Sequence, residues 1–440
     1  MDTFHQDRRE QEASWVVPDY AAYKPLSLET VPQRLMSYPS LVERLGGAPG
    51  DWRVREVGDG NLNFVYIVEG PAGSICLKQA LPYVRLVGES WPLPLSRSFY
   101  EHAALVRQDK ANGSVPEIYL FDGPQALIAM ENLGEHVIWR KALIAREKHE
   151  TAAVVLAEFM AETLFRTSDL ALGAAEKKRE IAIFCGNTAL CKITEDLVFT
   201  DPYFDHPLNR WTSPELNETV AQIRRDPQWK AAIQELKFMF LTRAEALVHG
   251  DLHTGSIMVS RAADGSEDVR VIDPEFAFYG PMAFDTGALI ANLFLNAFAQ
   301  DGHGEGAHYY QDWVFQQIET VCTTFGRRFS ELWRTERTGD AFAKSLYEDQ
   351  DHSDSSEMAL TYFFERLERD TLGFAGAKMA RRILGLAGVA DLEAIEPPSV
   401  RAACEKRALT FARALIVERG ELKSMTAAIE LARKILRDDA

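Results

Sequence analysis

Cysteine is scarce in this chain, and no two cysteines stand at a spacing typical of metal or redox sites. The 440 residues include five cysteines and no C-x-x-C pair. This usage argues against a disulfide framework and against a structural zinc site, and it is typical of a reducing compartment. The segment from Met1 to Glu12 is polar and lacks the apolar stretch of a secretory signal. We therefore predict a cytoplasmic protein.

An excess of positive charge and a long apolar run are also missing. Lysine and arginine number 48 against 65 aspartates and glutamates, a net charge of −17. Such a balance repels phosphate backbones and anionic lipid, so no nucleic-acid partner is expected. The most apolar run, Phe284 to Ala299, is interrupted by Asp285 and is shorter than the ~20 residues that span a bilayer. We predict a buried helix there and no membrane partner.

The remaining composition is that of an ordinary globular protein. Hydrophobic residues make up 46% and charged residues 26%, which excludes disordered and collagen-like classes. At roughly 150 residues per domain, the length indicates two or three domains or one large two-lobed enzyme.

The hydropathy pattern divides the chain into a strand-rich front and a helix-rich back. Alternating apolar residues between Gly-rich turns predict the strands Arg53 to Val57, Phe64 to Val68 and Ser74 to Leu77, and later Ala126 to Met130. Apolar residues then recur at helical spacing through most of the chain. The predicted fold class is α+β and two-lobed, with an antiparallel-sheet N-terminal lobe over residues 1–132 and a mostly helical C-terminal lobe over residues 133–440.

One predicted β-hairpin interrupts the helical part. Strand-like runs at Ile257 to Val259 and Val269 to Ile272 flank Asp264-Gly265, a pair that favours a tight turn. The two outer ends of an antiparallel hairpin lie side by side, and here they lead into the segments His249 to His253 and Asp273 to Glu275.

These two segments place three acids in one predicted cluster, namely Asp251, Asp273 and Glu275. Clustered carboxylates repel one another unless a cation holds them, and Mg²⁺ takes one or two carboxylates together with phosphate oxygens and water. The pair of motifs therefore predicts a metal–nucleotide site. The alternative is that each acid is a turn or cap residue, because aspartate and proline are common at strand ends.

The front lobe offers a second predicted binding feature, a glycine-rich turn that includes Gly58, Gly60, Asn61 and Asn63. Free amides of such a turn can point at phosphate oxygens, although hairpins also use glycine for steric reasons alone. Lys78 lies further along the same meander, from where its ammonium can reach the same phosphates. Glu101 on the following helix is a candidate partner that would hold the lysine.

The order of these motifs resembles the protein-kinase-like superfamily, particularly its branch of small-molecule kinases. The resemblance implies that Asp251 accepts the proton of the substrate hydroxyl, that Asp273 holds Mg²⁺ and that Lys78 contacts the phosphates of ATP. It also implies a hinge whose backbone at Glu131 and Leu133 binds adenine. Kinases have a metal-binding asparagine where this chain has Ser256, so we predict that Glu275 is the second ligand of the Mg²⁺ ion.

A closer resemblance is to the 5-methylthioribose kinase family. It is found in five segments: 57–65, 209–214, 248–256, 273–282 and 377–382. The resemblance implies an ATP-dependent transfer to the C1 hydroxyl of 5-methylthioribose, giving 5-methylthioribose 1-phosphate in methionine salvage. It further implies that Arg381 and Arg382 contact the sugar and that the protein is a homodimer.

Parts of the same sequence pattern also occur in proteins of other functions. A small-molecule kinase for choline, homoserine or an aminoglycoside would use the same phosphate-binding residues with a different acceptor pocket. A non-catalytic pseudokinase is disfavoured, because Lys78, Asp251 and Asp273 are all present. A metallophosphoesterase shares the pattern Asp251-Leu252-His253, but the further ligand motifs of that class are absent from the sequence.

Overall fold

The computed structural model describes residues 15–58, 62–84 and 88–438. Three residues of the predicted glycine-rich turn, Asp59, Gly60 and Asn61, lie outside the described residues. The elements of the front lobe are α1 (Val31–Leu35), α2 (Pro39–Leu45), β1 (Arg53–Glu56), β2 (Asn63–Glu69), β3 (Ser74–Ala80), β4 (Tyr83–Val84), β5 (Gly88–Pro92), α3 (Arg97–Ala111), β6 (Ile118–Asp122) and β7 (Leu127–Met130).

A five-stranded sheet organises this lobe, in the order β1-β2-β3-β7-β6, and every pairing is antiparallel. The predicted meander is confirmed. In β3, Ile75 and Leu77 pack into the core of the lobe. Because side chains alternate along a strand, Lys78 faces the opposite side of the sheet. The central strand therefore presents this lysine away from the core.

The back lobe is mostly helical. Its elements are β8 (Val137–Ile138), α4 (Trp139–Ile144), α5 (Ala152–Arg166), α6 (Ala174–Phe184), α7 (Thr188–Phe199), α8 (Asn217–Arg225), α9 (Pro227–Thr242), β9 (Ala246–Val248), β10 (Ile257–Arg261), β11 (Glu267–Val271), β12 (Phe278–Gly280), α10 (Ala283–Ala299), α11 (Ala307–Thr335), α12 (Ser353–Leu384), α13 (Ala390–Glu393), α14 (Pro398–Val417), α15 (Arg419–Leu422) and α16 (Met425–Asp438).

Helix α10 is the central element of this lobe, and every one of its residues is buried. The predicted buried helix is thus confirmed. At Gly287 an added Cβ would lie 2.8 Å from the Cβ of Phe374 and 2.9 Å from the backbone nitrogen of Ala375, so the glycine lets α10 and α12 approach closely. Within the described ranges, no helix combines the length and apolar character of a membrane span.

Two small sheets position the loops that hold the predicted acids. Strands β10 and β11 pair in antiparallel register with Ile257 opposite Val271, which confirms the predicted hairpin, and β8 adds a third strand. Strands β9 and β12 pair next to it, with Val248 opposite Phe278. The loops that follow β9 and precede β12 therefore run side by side.

The described residues form one apolar core in the sheet lobe and another in the helical lobe, and a third cluster packs α3 against residues of the back lobe. The predicted α+β architecture, with an antiparallel-sheet front and a helical back, is confirmed. The exact boundary between residues 132 and 133 stays a prediction.

Candidate active site

The loop after β9 is fixed by a buried carboxylate. Asp285 in the first turn of α10 accepts the backbone N–H of His249 at 2.6 Å and that of Gly250 at 3.0 Å. Burial raises the pKa of Asp285 to about 6, although both amide bonds oppose the rise. Gly250 has φ +84°, and an added Cβ there would collide with the carbonyl oxygen of Phe276. Only glycine lets the two loops approach this closely.

Asp251, the predicted base, lies between two nitrogen donors. Its Oδ2 is 3.2 Å from Nε2 of His253, and its Oδ1 is 3.2 Å from Nζ of Lys378 on α12. Burial alone would raise the pKa of Asp251, but the neighbouring His253, Lys378 and Arg382 hold it well below the usual range. The carboxylate is therefore ionised at neutral pH and prepared to accept a proton.

The hydrogen bonds of His253 define its role. Its Nδ1 accepts the backbone N–H of Gly255 at 3.1 Å, so the proton of the neutral ring lies on Nε2 and is donated to Asp251. Burial lowers the pKa of His253 to about 3, against the pull of Asp251. The neutral ring orients the carboxylate and is not itself a base.

Lys78 connects the five-stranded sheet to Asp273, which lies in the loop between β11 and β12. Its Nζ lies 2.6 Å from Oε1 of Glu101 on α3 and also contacts Oδ1 of Asp273. The predicted pair of Lys78 and Glu101 is thus present and buried. Asp273 adopts a left-handed backbone conformation (φ +73°) and leaves 45% of its side chain exposed, so its carboxylate is open to a ligand.

Glu275 is held by residues of the front lobe. Its Oε2 accepts hydrogen bonds from Nε of Arg97 at 3.1 Å and from Nδ2 of Asn63 at 3.3 Å. Asn63 in turn accepts from Arg97 through Oδ1 at 3.1 Å. Asn187, between α6 and α7, donates to the backbone oxygen of Glu275 at 2.9 Å. Each of the three predicted acids therefore has a basic partner of its own.

The donor set of these loops fits a Mg²⁺ ion. Asp273 and Glu275 offer hard carboxylate oxygens, and the bonds from Arg97 and Asn63 to Oε2 of Glu275 leave its Oε1 as a possible ligand. Among the described residues, no group of three or more His, Cys, Asp or Glu side chains could hold a metal alone. A nucleotide-bound Mg²⁺ needs only one or two carboxylates, since phosphates and water complete its shell.

Positive charge is concentrated around Asp251. Arg381 and Arg382 follow Lys378 on α12; burial lowers the pKa of each arginine, and Asp251 opposes the shift in both. Nε of Arg381 is buried without a hydrogen-bond partner in the described part of the chain. On the facing side, Arg140 of α4 donates to Oγ1 of Thr254 at 3.2 Å. The arrangement is suited to an anionic group beside the base.

The other predicted nucleotide contacts follow strands β1 and β7 of the front lobe. Gly58 follows β1, and an added Cβ there would meet no described atom within 4 Å. Glu131 follows β7, and its N–H donates to the carbonyl of Glu117 at 2.8 Å. Leu133 is buried and accepts through its carbonyl from the N–H of His136 at 3.0 Å. The contact of this segment with adenine stays a prediction.

Sequence reasoning did not assign roles to Lys378, Arg140 or Arg97. A signal existed for Lys378, which precedes Arg381 by three positions and Arg382 by four and so shares a helix face with them. Arg97 and Arg140 gave no such signal, because their partners are distant in sequence: 178 residues separate Arg97 from Glu275.

Comparison with known proteins gives a consistent result. The model of the phosphotransferase enzyme family matches residues 53–317. The methylthioribose kinase of Escherichia coli O45:K1 (strain S88 / ExPEC) is 45% identical over 418 residues, which cover 94% of this chain and 98% of the relative. Methylthioribose kinase 1 of Oryza sativa subsp. japonica is 43% identical over 413 residues, or 92% and 94% of the two chains.

Solved structures with a related fold share much less sequence identity with this chain. A choline kinase from Cryptosporidium parvum Iowa II is 12% identical with a TM-score of 0.45, over 90% of this chain and 98% of that one. A glucosamine kinase is 15% identical with a TM-score of 0.42, over 87% and 83%.

Proposed function

The chain belongs to the methylthioribose kinase family, and on this premise we propose that it transfers the γ-phosphoryl group of ATP to the C1 hydroxyl of 5-methylthioribose, giving 5-methylthioribose 1-phosphate and ADP. Family membership also agrees with the predicted protein-kinase-like fold. The observation that supports the chemistry best is the ionised Asp251 carboxylate, oriented by His253 and Lys378 in a pocket rich in arginine.

Asp251 serves as the base in this proposal. The C1 oxygen forms a bond to the γ-phosphorus, the bond from that phosphorus to the β–γ bridging oxygen breaks, and ADP leaves with the electron pair. The hydroxyl proton passes to the Asp251 carboxylate. Phosphoryl transfer has a loose transition state, so the base acts late and the protein mainly positions the reactants and balances their charge.

Residues of the front lobe would hold ATP. Lys78 is fixed by Glu101 at 2.6 Å and lies beside Asp273, which suits contact with the α- and β-phosphates. The turn with Gly58, Gly60, Asn61 and Asn63 would cover the phosphates, and the backbone at Glu131 and Leu133 would bind adenine. These assignments rest on motif order and on the position of Lys78.

We further propose that Asp273 and Glu275 hold a Mg²⁺ ion, which when bound neutralises charge on the β- and γ-phosphates. Glu275→Gln should raise the Mg²⁺ concentration needed for half-maximal turnover about tenfold or more. The amide keeps the size of the side chain and removes its charge. The check is ADP release across a Mg²⁺ titration.

Glu267→Gln is the matched control for this titration, because Glu267 pairs with Arg261 on the catalytic hairpin at 2.6 Å and has no proposed role with the metal. An unchanged Mg²⁺ dependence in Glu275→Gln would mean that Glu275 only joins the lobes through Arg97 and Asn63.

Arg381 and Arg382 are proposed to contact the sugar and the transferred phosphoryl group. Arg381→Ala should lower kcat by about 10²-fold or more, because a buried charge directed at a developing anion is lost. The circular dichroism spectrum should be unchanged. Arg327→Ala is the control, since Arg327 is an exposed arginine of α11 paired with Glu158 at 3.0 Å. Near-normal kinetics of Arg381→Ala would contradict the assignment.

The acceptor distinguishes this proposal from kinases for choline, homoserine or aminoglycosides. Purified protein with MgATP should release ADP with 5-methylthioribose and far less with ribose, choline, homoserine or kanamycin. Turnover with only one of the other acceptors would retain the kinase chemistry and overturn the substrate. No turnover with any acceptor would favour a pseudokinase.

We also propose an oligomeric state and a cellular location. A homodimer is proposed from the family resemblance. A cytoplasmic location is proposed from the cysteine usage, and all five cysteines are free.

A further inference from the structure

Lys378 is a buried lysine in direct contact with the proposed base. It lies on the C-terminal half of α12 and is 3% exposed. Its Nζ is 3.2 Å from Oδ1 of Asp251 and 4.3 Å from the centre of the Phe284 ring. A charged ammonium is rarely buried in this way unless a counter-ion compensates the lost hydration. The position therefore depends on the Asp251 carboxylate.

The other contact of Asp251 does not supply a charge. His253 donates to Oδ2 from a neutral ring, because its Nδ1 is occupied by the N–H of Gly255. His249 is also neutral, since burial lowers its pKa to about 4, and its Nε2 hydrogen-bonds with the carbonyl of Ile272 at 2.9 Å. Lys378 thus supplies the positive charge at contact distance from Asp251.

Several further charged groups surround the pair. Asp285 of α10 faces both the loop after β9 and Lys378. Arg381 and Arg382 lie on the same helix as Lys378, and Arg140 of α4 lies close to both arginines. Burial and the two neighbouring arginines lower the pKa of Lys378 to about 8, while Asp251 opposes the shift. The ammonium remains charged over the neutral and acidic range, where Asp251 must stay ionised.

We propose that Lys378 is a positioning residue that keeps the Asp251 carboxylate ionised and directed at the acceptor hydroxyl, and that it thereby sets the lower pH limit of turnover. The inference rests on the proposed role of Asp251 as the base.

The direction of the effect follows from the charges. Asp251 must be ionised to accept the hydroxyl proton, so activity is lost as pH falls through its pKa. An adjacent cation lowers the pKa of a carboxyl by about 1–3 units, whereas burial raises it. Without Lys378, less positive charge opposes the rise in the pKa of Asp251 that burial causes. Activity should therefore be lost at a higher pH as the pH falls.

The test is kcat as a function of pH, from about pH 3 to pH 9 so that the range includes the low acid midpoint expected for Asp251, for the wild type, Lys378→Met and Lys378→Arg. The acid midpoint should move up by about one pH unit or more in Lys378→Met and stay near the wild-type position in Lys378→Arg. Lys192→Met is the control, because Lys192 is an exposed lysine paired with Asp196 at 2.5 Å. A lower kcat with an unmoved acid midpoint in Lys378→Met would overturn the proposal.

If Lys378→Met folds poorly, a double-mutant cycle of Tm values for Lys378→Met, Asp251→Asn and the double variant still tests the proposal. The Tm of Lys378→Met should fall, because the partly buried Asp251 carboxylate loses the cation beside it. Asp251→Asn in the same chain should restore most of the loss. Additive effects of the two changes would contradict the coupling. This readout needs no substrate, so it is independent of whether 5-methylthioribose is the acceptor.

Discussion

Replacing Asp251 with asparagine should lower kcat by about 10²–10⁴-fold, the usual contribution of a positioned acid–base group. The amide has the same shape, but it cannot take up the hydroxyl proton, and its single oxygen can accept from only one of the two donors, His253 or Lys378. KM for ATP should change little, because the residues proposed to contact ATP, Lys78 and the glycine-rich turn, are unchanged. Steady-state ADP release with 5-methylthioribose measures both constants.

Asp264→Asn is the matched control for this variant. Asp264 lies in the exposed turn of the same hairpin and hydrogen-bonds with Ser266 at 2.6 Å. Wild-type kinetics are expected for it. If Asp251→Asn also kept a kcat close to that of the wild type, another group would have to be the base.

Replacing Lys78 with methionine should lower kcat/KM for ATP by about 10²–10³-fold, since the buried cation that is proposed to contact the phosphates is removed. The change also leaves Glu101 buried without its counter-ion, and burial already raises the pKa of Glu101 against the opposing pull of Lys78. Glu101→Gln should have a smaller effect, because it retains the lysine but weakens its orientation. ATP titrations of both variants measure the difference.

Lys110→Met on the exposed face of α3 is the control for the lysine substitution. If Lys78→Met bound and used ATP normally, the contact of Lys78 with Glu101 and Asp273 would be structural, and the nucleotide would have to be held elsewhere.

Charge in this molecule is distributed unevenly, and that distribution explains how an acidic protein could use an anionic substrate. The chain has a net charge of −17, yet Lys78, Lys378, Arg381 and Arg382 lie around the proposed site. Local positive potential, and not the net charge, governs the approach of ATP to its site.

The sequence predicted the elements of the site well where local patterns determine them. Strand alternation located β1 to β3, and Asp264-Gly265 at the tip located the hairpin. The pairing of its two strands then brought Asp251 near the Asp273 loop, because the outer ends of an antiparallel hairpin meet.

Tertiary contacts determine what the sequence could not show. The three acids were expected to lie in one cluster, but their basic partners could not be predicted: Asp251 contacts Lys378, Asp273 contacts Lys78 and Glu275 contacts Arg97. These partners lie 127, 195 and 178 residues away in the chain. No local periodicity reports a contact over such a distance.

The central claim is that this pocket phosphorylates the C1 hydroxyl of 5-methylthioribose. The most direct measurement is the phosphorus and proton NMR of the product formed from MgATP and 5-methylthioribose by the purified protein. A single new phosphate ester, coupled to the anomeric proton and absent with Asp251→Asn, is the predicted result. A phosphate on another hydroxyl, or only inorganic phosphate and ADP, would contradict the claim.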